Sequence, residues 1–211
     1  MCEPCLLRFA PQRPRCAQCA RVLPAASPQC GECVRTASAF HACLTGADYA
    51  DPWDQLIAGF KFHQKTELAA ALCELVLRAV RLSPHGARPA LLLPVPLSRE
   101  RLRERGYNQA WELARRLASR LEVAARADVL QRSRDTPHQI GMTRAEREHN
   151  LRDAFWIEPR QRHQLQDAHV ALIDDVFTTG ATAHAAALAL TRGGAARVDV
   201  WVVARTPLGD A

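Results

Sequence analysis

Lysine is scarce in this chain, and it has no long apolar runs. Only Lys61 and Lys65 stand among 28 basic residues, so arginine carries nearly all of the positive charge. No stretch approaches the roughly 18 consecutive apolar residues of a membrane-spanning helix. Residues 1–5 contain no secretory apolar core. The sequence therefore predicts no membrane span and a cytoplasmic location.

Arginine is concentrated in one segment of the chain. The net charge is +6, and residues 99–152 hold thirteen arginines against eight acidic residues. GC-biased codon usage accounts for arginine in place of lysine, but not for this concentration. Arginine suits a bidentate grip on phosphates. The segment is therefore a candidate for a phosphate-binding loop, a DNA-binding track or both.

Cysteine is concentrated in the first forty residues, in three Cys-x-x-Cys pairs separated by ten residues each. In a cytosolic chain such pairs indicate zinc knuckles rather than disulfides. Four thiolates complete one tetrahedral zinc site. The second and third pairs match a zinc ribbon best, and the first pair remains a further candidate. The predicted ligands are Cys16, Cys19, Cys30 and Cys33, with Cys2 and Cys5 as possible alternatives. A redox role is disfavoured, since no pair opens a helix of a thioredoxin-like unit.

The 211 residues suffice for one α/β domain and a small appendage. The cysteine-rich composition ends near residue 40. We therefore predict a zinc-binding module over residues 1–40 and an α/β domain over 41–211. The zinc would be structural, because the first segment has too few apolar residues to fold without it.

A strand, a turn and a helix follow one another near the C-terminus. Residues 170–173 form an apolar run, Asp174 and Asp175 follow, and an alanine-rich helix is predicted over 181–190. Between them lies a turn with threonine hydroxyls and Gly180. A helix N-terminus after such a turn binds phosphate, and ionised carboxylates accept from sugar hydroxyls. The unit predicts a site for a ribose 5-phosphate.

A second strand, loop and helix occur earlier. Residues 90–96 read as a buried strand, 98–109 as an arginine-rich loop, and the following residues to 121 as an amphipathic helix. Open parallel sheets bind ligands beyond the carboxyl ends of their strands. The candidates in this loop are Arg103, Arg105 and Asn108.

These motifs resemble known families. Asp174-Asp175 followed by Thr179-Gly180-Ala181-Thr182 resembles the phosphoribosyl-pyrophosphate motif of type I phosphoribosyltransferases, and no P-loop lysine follows the glycine. The rest of the chain resembles the ComF/GntX family. The residues that carry this resemblance are Pro94-Val95-Pro96-Leu97, Arg103-x-Arg105-Gly106-Tyr107-Asn108-Gln109-Ala110, Arg132-x-Arg134-x-Thr136-x-x-Gln139, Arg147-x-x-Asn150-Leu151-x-x-Ala154-Phe155, Tyr49 and Phe60-Lys61-Phe62.

The resemblance implies a type I phosphoribosyltransferase fold, a Rossmann-like parallel sheet with helices on both faces, behind a zinc-ribbon-like module. It also implies phosphoribosyl pyrophosphate and Mg²⁺ as ligands, and a connection with natural transformation and single-stranded DNA. Longer members have four cysteine pairs, and this chain begins at what resembles the second.

On this interpretation, Asp174 and Asp175 hold the ribose hydroxyls, and Arg103, Arg105 and Asn108 meet the pyrophosphate. Gln139 and Arg147 belong to a lid that closes over the site. The predicted donor site consists of Asp174, Asp175, Val176, Phe177, Thr178, Thr179, Gly180, Ala181 and Thr182. Of these, Asp174 and Asp175, with Arg103 and Arg105, are the catalytic candidates.

The sequence leaves the reaction open. The chain is either a phosphoribosyltransferase with an unidentified acceptor or a non-catalytic donor sensor. Such a sensor would act with single-stranded DNA or a DNA-uptake protein. Both need the same phosphate site, and no residue stands out as a nucleobase reader. A zinc-ribbon nucleic-acid protein with a vestigial domain is a weaker alternative, since the cysteine-rich segment has few aromatics for stacking.

Overall fold

A parallel sheet forms the centre of the computed structural model, which describes residues 1–24, 27–83, 88–133 and 154–207. The strands of the described residues are β1 (Ala42–Asp48), β2 (Leu91–Pro94), β3 (Ala124–Ala125), β4 (Leu130–Arg132), β5 (Phe155–Ile157), β6 (His169–Phe177) and β7 (Arg197–Arg205). The five-stranded sheet has the order β1-β7-β6-β2-β3, and all of its neighbours are parallel. Strands β4 and β5 form an antiparallel pair.

Helices cover both faces of the sheet. They are α1 (Glu3–Phe9), α2 (Gly31–Arg35), α3 (Trp53–Phe62), α4 (Leu68–Leu82), α5 (Arg99–Arg105), α6 (Gln109–Leu121), α7 (Ala181–Gly193) and a 3₁₀ helix, Pro159–Leu165. Helices α3, α4 and α6 share one core with Ala171 and Ile173 of β6. Helix α7 and the β4–β5 pair share the other core with Val170 and Leu172. Burial on both faces explains why the strand is a continuous apolar run rather than an alternating one.

The central strand is longer than the apolar run predicts. Strand β6 continues through both carboxylates to Phe177, because β7 beside it is equally long. Asp174 is opposite Val202, and Phe177 is opposite Arg205. The two aspartates therefore lie within the last residues of a strand, which fixes their backbone.

The arginine-rich segment after β2 contains a helix where the sequence indicates a loop. Ser98 Oγ accepts from Arg101 N at 3.3 Å at the start of α5, and Gly106 ends the helix with φ of +79°. A serine N-cap and a left-handed glycine are ordinary helix boundaries. The seven residues between them are too few for a clear apolar period, so the pattern does not identify the helix.

The N-terminal forty residues pack against the edge of the sheet. Cys43 N of β1 donates to Ala17 O at 2.9 Å. Arg15 Nη1 donates to Asp48 Oδ1 at 2.8 Å. The division at residue 40 stays a prediction. Within the described ranges, no helix is long and apolar enough to cross a membrane.

Candidate functional site

Asp175 lies in a buried ion pair at the carboxyl end of the central strand. Its side chain is 3% exposed, and Lys61 Nζ lies 3.0 Å from Oδ2 and 3.3 Å from Oδ1. Among the described residues, Oδ2 has no donor aligned for a hydrogen bond. Lys61 therefore neutralises the charge, and one buried oxygen keeps hydrogen-bonding capacity.

Asp174 has a different electrostatic environment. Burial, with a second contribution from the charge of Asp175, raises its pKa to about 8, against the opposing effect of Lys61. Its Oδ1 accepts from Asp175 N at 2.8 Å, and its side chain retains partial exposure. The protonated form of Asp174 is therefore favoured near neutral pH. A diol or a metal ion that prefers the carboxylate would shift this side chain to its ionised form.

Lys61 is a site residue that sequence reasoning did not assign. It lies near the end of α3, 114 positions from Asp175 along the chain. The available signal is a single lysine between two aromatic residues, in a chain with almost no lysine.

The turn between β6 and α7 exposes polar groups at a helix N-terminus. Thr178 and Thr179 are exposed, and the N-cap residue is Gly180, which has no side-chain acceptor. Thr179 Oγ1 lies 3.4 Å from Ala181 N, a long contact. The first-turn N–H groups and the hydroxyls can therefore serve an anion.

Gly180 is required for two reasons. Its φ is +82°, and a Cβ there would lie 2.5 Å from Phe177 Cζ. Gly106 has a similar φ of +79°, but a Cβ would meet nothing within 4 Å. A side chain at Gly106 would therefore meet backbone strain alone, whereas one at Gly180 would meet backbone strain and a steric clash.

We expect Gly180→Ala to destabilise the protein more than Gly106→Ala does. Both changes place alanine in the left-handed region, which costs about 1–2 kcal/mol of stability. Only Gly180→Ala also displaces the Phe177 ring. Urea denaturation measures both free energies of unfolding, and equal losses for the two variants would contradict the role assigned to Phe177.

The arginines of α5 divide between its faces. Arg101 and Arg105 are one helical turn apart and line the same cavity, whereas Arg103 is exposed and does not line it. This cavity has a volume of about 540 Å³ and is lined by Lys61, Phe62, Gln64, Arg101, Glu104 and Arg105. The structure thus brings Arg105 close to the carboxylate site through Lys61. It adds Arg101, which sequence reasoning missed.

The conformation of Arg105 is defined by two contacts. Its Nη1 donates to Gln109 Oε1 at 3.0 Å, and its guanidinium lies 5.1 Å from the centre of the Phe62 ring. Phe62 is 63% exposed, which is unusual for so large an apolar side chain. The cavity therefore presents a cation and an aromatic face together.

Asn108 occupies a structural position. Its Oδ1 accepts from Ala110 N at 2.8 Å and Trp111 N at 3.3 Å, which caps α6, and its Nδ2 donates to Val95 O at 3.1 Å. The side chain thus joins the end of β2 to the start of α6. The predicted lid residues, Gln139 and Arg147, lie outside the described residues.

Four cysteines form a cluster in the N-terminal segment. The sulfurs of Cys16, Cys19, Cys30 and Cys33 all lie within 4.8 Å of one another. Cys19 Sγ and Cys30 Sγ are 3.7 Å apart. A tetrahedral zinc with bonds of about 2.3 Å needs sulfurs about 3.8 Å apart. The geometry of the cluster thus fits a metal ion.

The cluster uses the two cysteine pairs that the sequence favours. Cys16 and Cys30 are buried, and Cys19 and Cys33 are partly buried. Cys2 and Cys5 are exposed at the start of α1, outside this cluster. In the described part of the chain, four ligands for one ion are therefore available without the first pair.

The chain is similar to known proteins in sequence and in structure. A family model described as "Phosphoribosyl transferase domain" matches residues 108–209. The chain is 32% identical to "DNA utilization protein YhgH" of Shigella flexneri, over 98% of this chain and 90% of that protein. It is 32% identical to "Competence protein F" of Haemophilus influenzae, over 74% of this chain and 69% of that protein. The adenine phosphoribosyltransferase of Leishmania tarentolae aligns with a TM-score of 0.43 at 15% identity, over 75% of this chain and 74% of that one.

The predicted fold class is confirmed by the family match together with the parallel sheet and its two helical layers. The similarity to DNA utilization protein YhgH covers 98% of this chain, and so includes the cysteine-rich segment as well as the sheet. The chain therefore belongs to the ComF family of phosphoribosyltransferase-like proteins.

Proposed function

We propose that this protein binds phosphoribosyl pyrophosphate at the β6–α7 turn and transfers the phosphoribosyl group of this donor to an acceptor. The observation that carries the proposal is the buried Lys61–Asp175 pair, with Asp174 beside it, four residues before the polar turn at Thr178–Thr182. Carboxylates and an anion-binding helix N-terminus thus follow one another on a single strand and turn. This order suits the diol and the 5-phosphate of one ribose.

Each group of site residues would bind a different part of the donor. The turn would hold the 5-phosphate through N–H groups and threonine hydroxyls. Asp174 and Asp175 would accept hydrogen bonds from the ribose hydroxyls, and Lys61 would hold the Asp175 carboxylate in place through the ion pair. Arg105 and Arg101 would face the pyrophosphate from α5, with Arg103 at its outer side. Asn108 would act through the backbone it positions.

Magnesium is part of this proposal. Asp174 and Asp175 would help to hold Mg²⁺, because their carboxylates are the hard oxygen ligands that suit this ion. When bound, it would supply positive charge that stabilises the leaving group. Positive charge develops at C1 of the sugar in such a transfer, as in glycoside chemistry. The arginines of the cavity would stabilise the departing pyrophosphate.

We infer further that the four-cysteine cluster holds a structural zinc ion. Four thiolates with a complete tetrahedral shell leave no position for a substrate. Because such a cluster needs reduced thiols, the proposed location is the cytoplasm.

The test is calorimetric titration with phosphoribosyl pyrophosphate, with and without Mg²⁺, followed by a product screen against nucleobases and single-stranded DNA. We expect saturable, Mg²⁺-dependent binding and release of pyrophosphate with one class of acceptor. Binding without pyrophosphate release would favour a sensor, and absence of binding would reject the donor site.

Donor affinity should rise with pH toward about 8, because the ligand prefers ionised Asp174 and burial beside Asp175 raises the pKa of that carboxyl. Stability without donor should show the opposite slope. Between about 4, its ordinary pKa, and about 8, folded Asp174 binds more protons than unfolded Asp174, so the free energy of unfolding falls as pH rises. Calorimetry and denaturation across this interval measure both. Asp174→Asn should flatten both curves, and unchanged slopes in that variant would contradict the assignment.

A second candidate function is an adaptor that binds the donor and acts with single-stranded DNA. The names of the relatives, "DNA utilization protein" and "Competence protein F", favour a DNA-related role. Helix α6 is one candidate DNA surface, and its arginines form ion pairs within the protein. On α6, Arg115 and Arg116 both pair with Glu112, and Arg120 pairs with Glu74. Their charge is thus largely balanced within the protein.

We therefore expect weak, salt-sensitive binding of single-stranded DNA, with a lower affinity at about 200 mM salt than at about 50 mM because each phosphate contact releases counterions. The donor should compete little with it, because the donor site uses other residues. Fluorescence anisotropy at both salt concentrations, with and without donor, measures this. Tight binding that survives high salt would indicate base stacking and overturn the expectation.

A further inference from the structure

Arg205 connects the cysteine cluster to the strand that carries the proposed donor site. It is the last residue of β7 and is 5% exposed. Its Nε donates to Cys19 O at 3.0 Å, and its Nη1 donates to Phe177 O at 3.4 Å and to Thr206 O. One guanidinium thus contacts the backbone of a cluster cysteine and the backbone at the end of β6.

Phe177 links this guanidinium to the phosphate turn. The Arg205 guanidinium lies 5.0 Å from the centre of the Phe177 ring, and Phe40 packs edge-on against the same ring with centroids 6.0 Å apart. The ring also lies directly below Gly180, where it leaves no room for a Cβ. A shift of Phe177 would therefore move the turn.

A cavity separates the cluster from the turn elsewhere. It has a volume of about 480 Å³, and its lining includes Cys19, Cys33, Thr179, Gly180 and Arg205. Beside this open space, Arg205 bonds to the backbone of both Cys19 and Phe177, and Phe40 packs against the Phe177 ring. A second contact between the N-terminal segment and α7 joins Ala39 N to His184 Nδ1 at 3.3 Å.

We propose that Arg205 is a positioning residue that makes donor binding depend on the metal cluster. This inference rests on the proposed function for its ligand. With a metal bound, the Cys19 backbone is fixed, and it holds the guanidinium over Phe177. Without it, the Cys19 carbonyl is released, Arg205 loses one acceptor, and the ring under Gly180 is less constrained. The turn then samples conformations that bind phosphate less well.

Arginine suits this position because it donates in two directions within one plane and stacks on an aromatic ring. Lysine keeps the charge but cannot do both, so Arg205→Lys isolates the geometry. Arg192 is the matched control, since it lines the same cavity but is exposed. Within the described part of the chain, its side chain makes no hydrogen bond to Cys19 or Phe177.

The experiment measures the dissociation constant of phosphoribosyl pyrophosphate with Mg²⁺ in wild type, Arg205→Lys and Arg192→Lys, each with and without zinc. Since coupling between sites is commonly 5–150-fold, we expect zinc removal to weaken wild-type binding about tenfold. Arg205→Lys should weaken it similarly with zinc content unchanged, and removal of zinc from that variant should add under about threefold. Arg192→Lys should behave as wild type. Equal zinc dependence in Arg205→Lys and wild type would overturn the proposal.

Two readouts do not depend on catalysis. By reciprocity, donor should raise the equilibrium affinity for zinc, measured in competition with a chelator, in wild type but not in Arg205→Lys. The second readout is hydrogen exchange, measured without donor, at two backbone amides. Thr206 N donates to Phe177 O at 3.0 Å, and His184 N donates to Gly180 O at 2.8 Å. Both should exchange faster in zinc-free wild type and in Arg205→Lys.

These readouts separate two failures. If zinc-loaded wild type does not bind the donor, the proposed function fails, and exchange alone decides the link between cluster and turn. If exchange at Thr206 and His184 is unchanged by zinc removal, the link is refuted whatever the donor does.

Discussion

Replacing Asp174 and Asp175 together with asparagine should weaken binding of phosphoribosyl pyrophosphate by about 100-fold. Hydrogen bonds to charged groups contribute about 1.5–3 kcal/mol each, so losing two costs at least about 3 kcal/mol. The change also leaves the Lys61 ammonium without its carboxylate partner, 3.0 Å away in the wild type. A cation left near the site weakens Mg²⁺ binding further. Titration calorimetry in saturating Mg²⁺ measures the loss.

Asp167→Asn is the matched control. Asp167 is exposed just before the other end of β6, and asparagine tolerates its φ of +54°. This variant should bind donor as wild type does. Circular dichroism should show an intact fold in the double variant, and an unchanged donor affinity there would exclude these carboxylates from the site.

Cys16→Ser and Cys30→Ser should each abolish stoichiometric metal binding and unfold the N-terminal segment. Both thiols are buried in the four-sulfur cluster, and a hydroxyl is a poor replacement for a thiolate ligand. Binding of structural zinc contributes about 10–16 kcal/mol in zinc-finger peptides, so this is the largest stability effect that we expect. Elemental analysis should find about one zinc per chain in the wild type, the number that four thiolates can hold.

Cys2→Ser and Cys5→Ser serve as controls for the choice of cysteine pairs. Both residues are exposed, and their loss should leave metal content and the unfolding midpoint unchanged. If Cys2→Ser removes the metal while Cys16→Ser and Cys30→Ser keep it, the assignment of the ligands is wrong. Limited proteolysis of residues 1–40 in each variant distinguishes metal loss from general unfolding.

The sequence determined the parts of this protein that depend on local patterns. The apolar run at residues 170–173 predicts a buried strand because both of its faces are covered. The turn and alanine-rich run after it predict a helix N-terminus, and the helix begins at Ala181 as expected. The Cys-x-x-Cys pairs indicated a four-sulfur site, and the second and third pairs, which match a zinc ribbon best, are the ones that come together. Each of these signals lies close in the sequence to the feature that it predicts.

The tertiary structure decided which distant residues meet. The contact between Lys61 and Asp175 spans 114 positions and the one between Arg205 and Cys19 spans 186, and no local period encodes either. Capping by Ser98 and Gly106 turned a predicted loop into α5, which directs Arg101 and Arg105 into one cavity and leaves Arg103 outside it. Side-chain direction on so short a helix follows from its packing, since one residue of shift turns a side chain by about 100°.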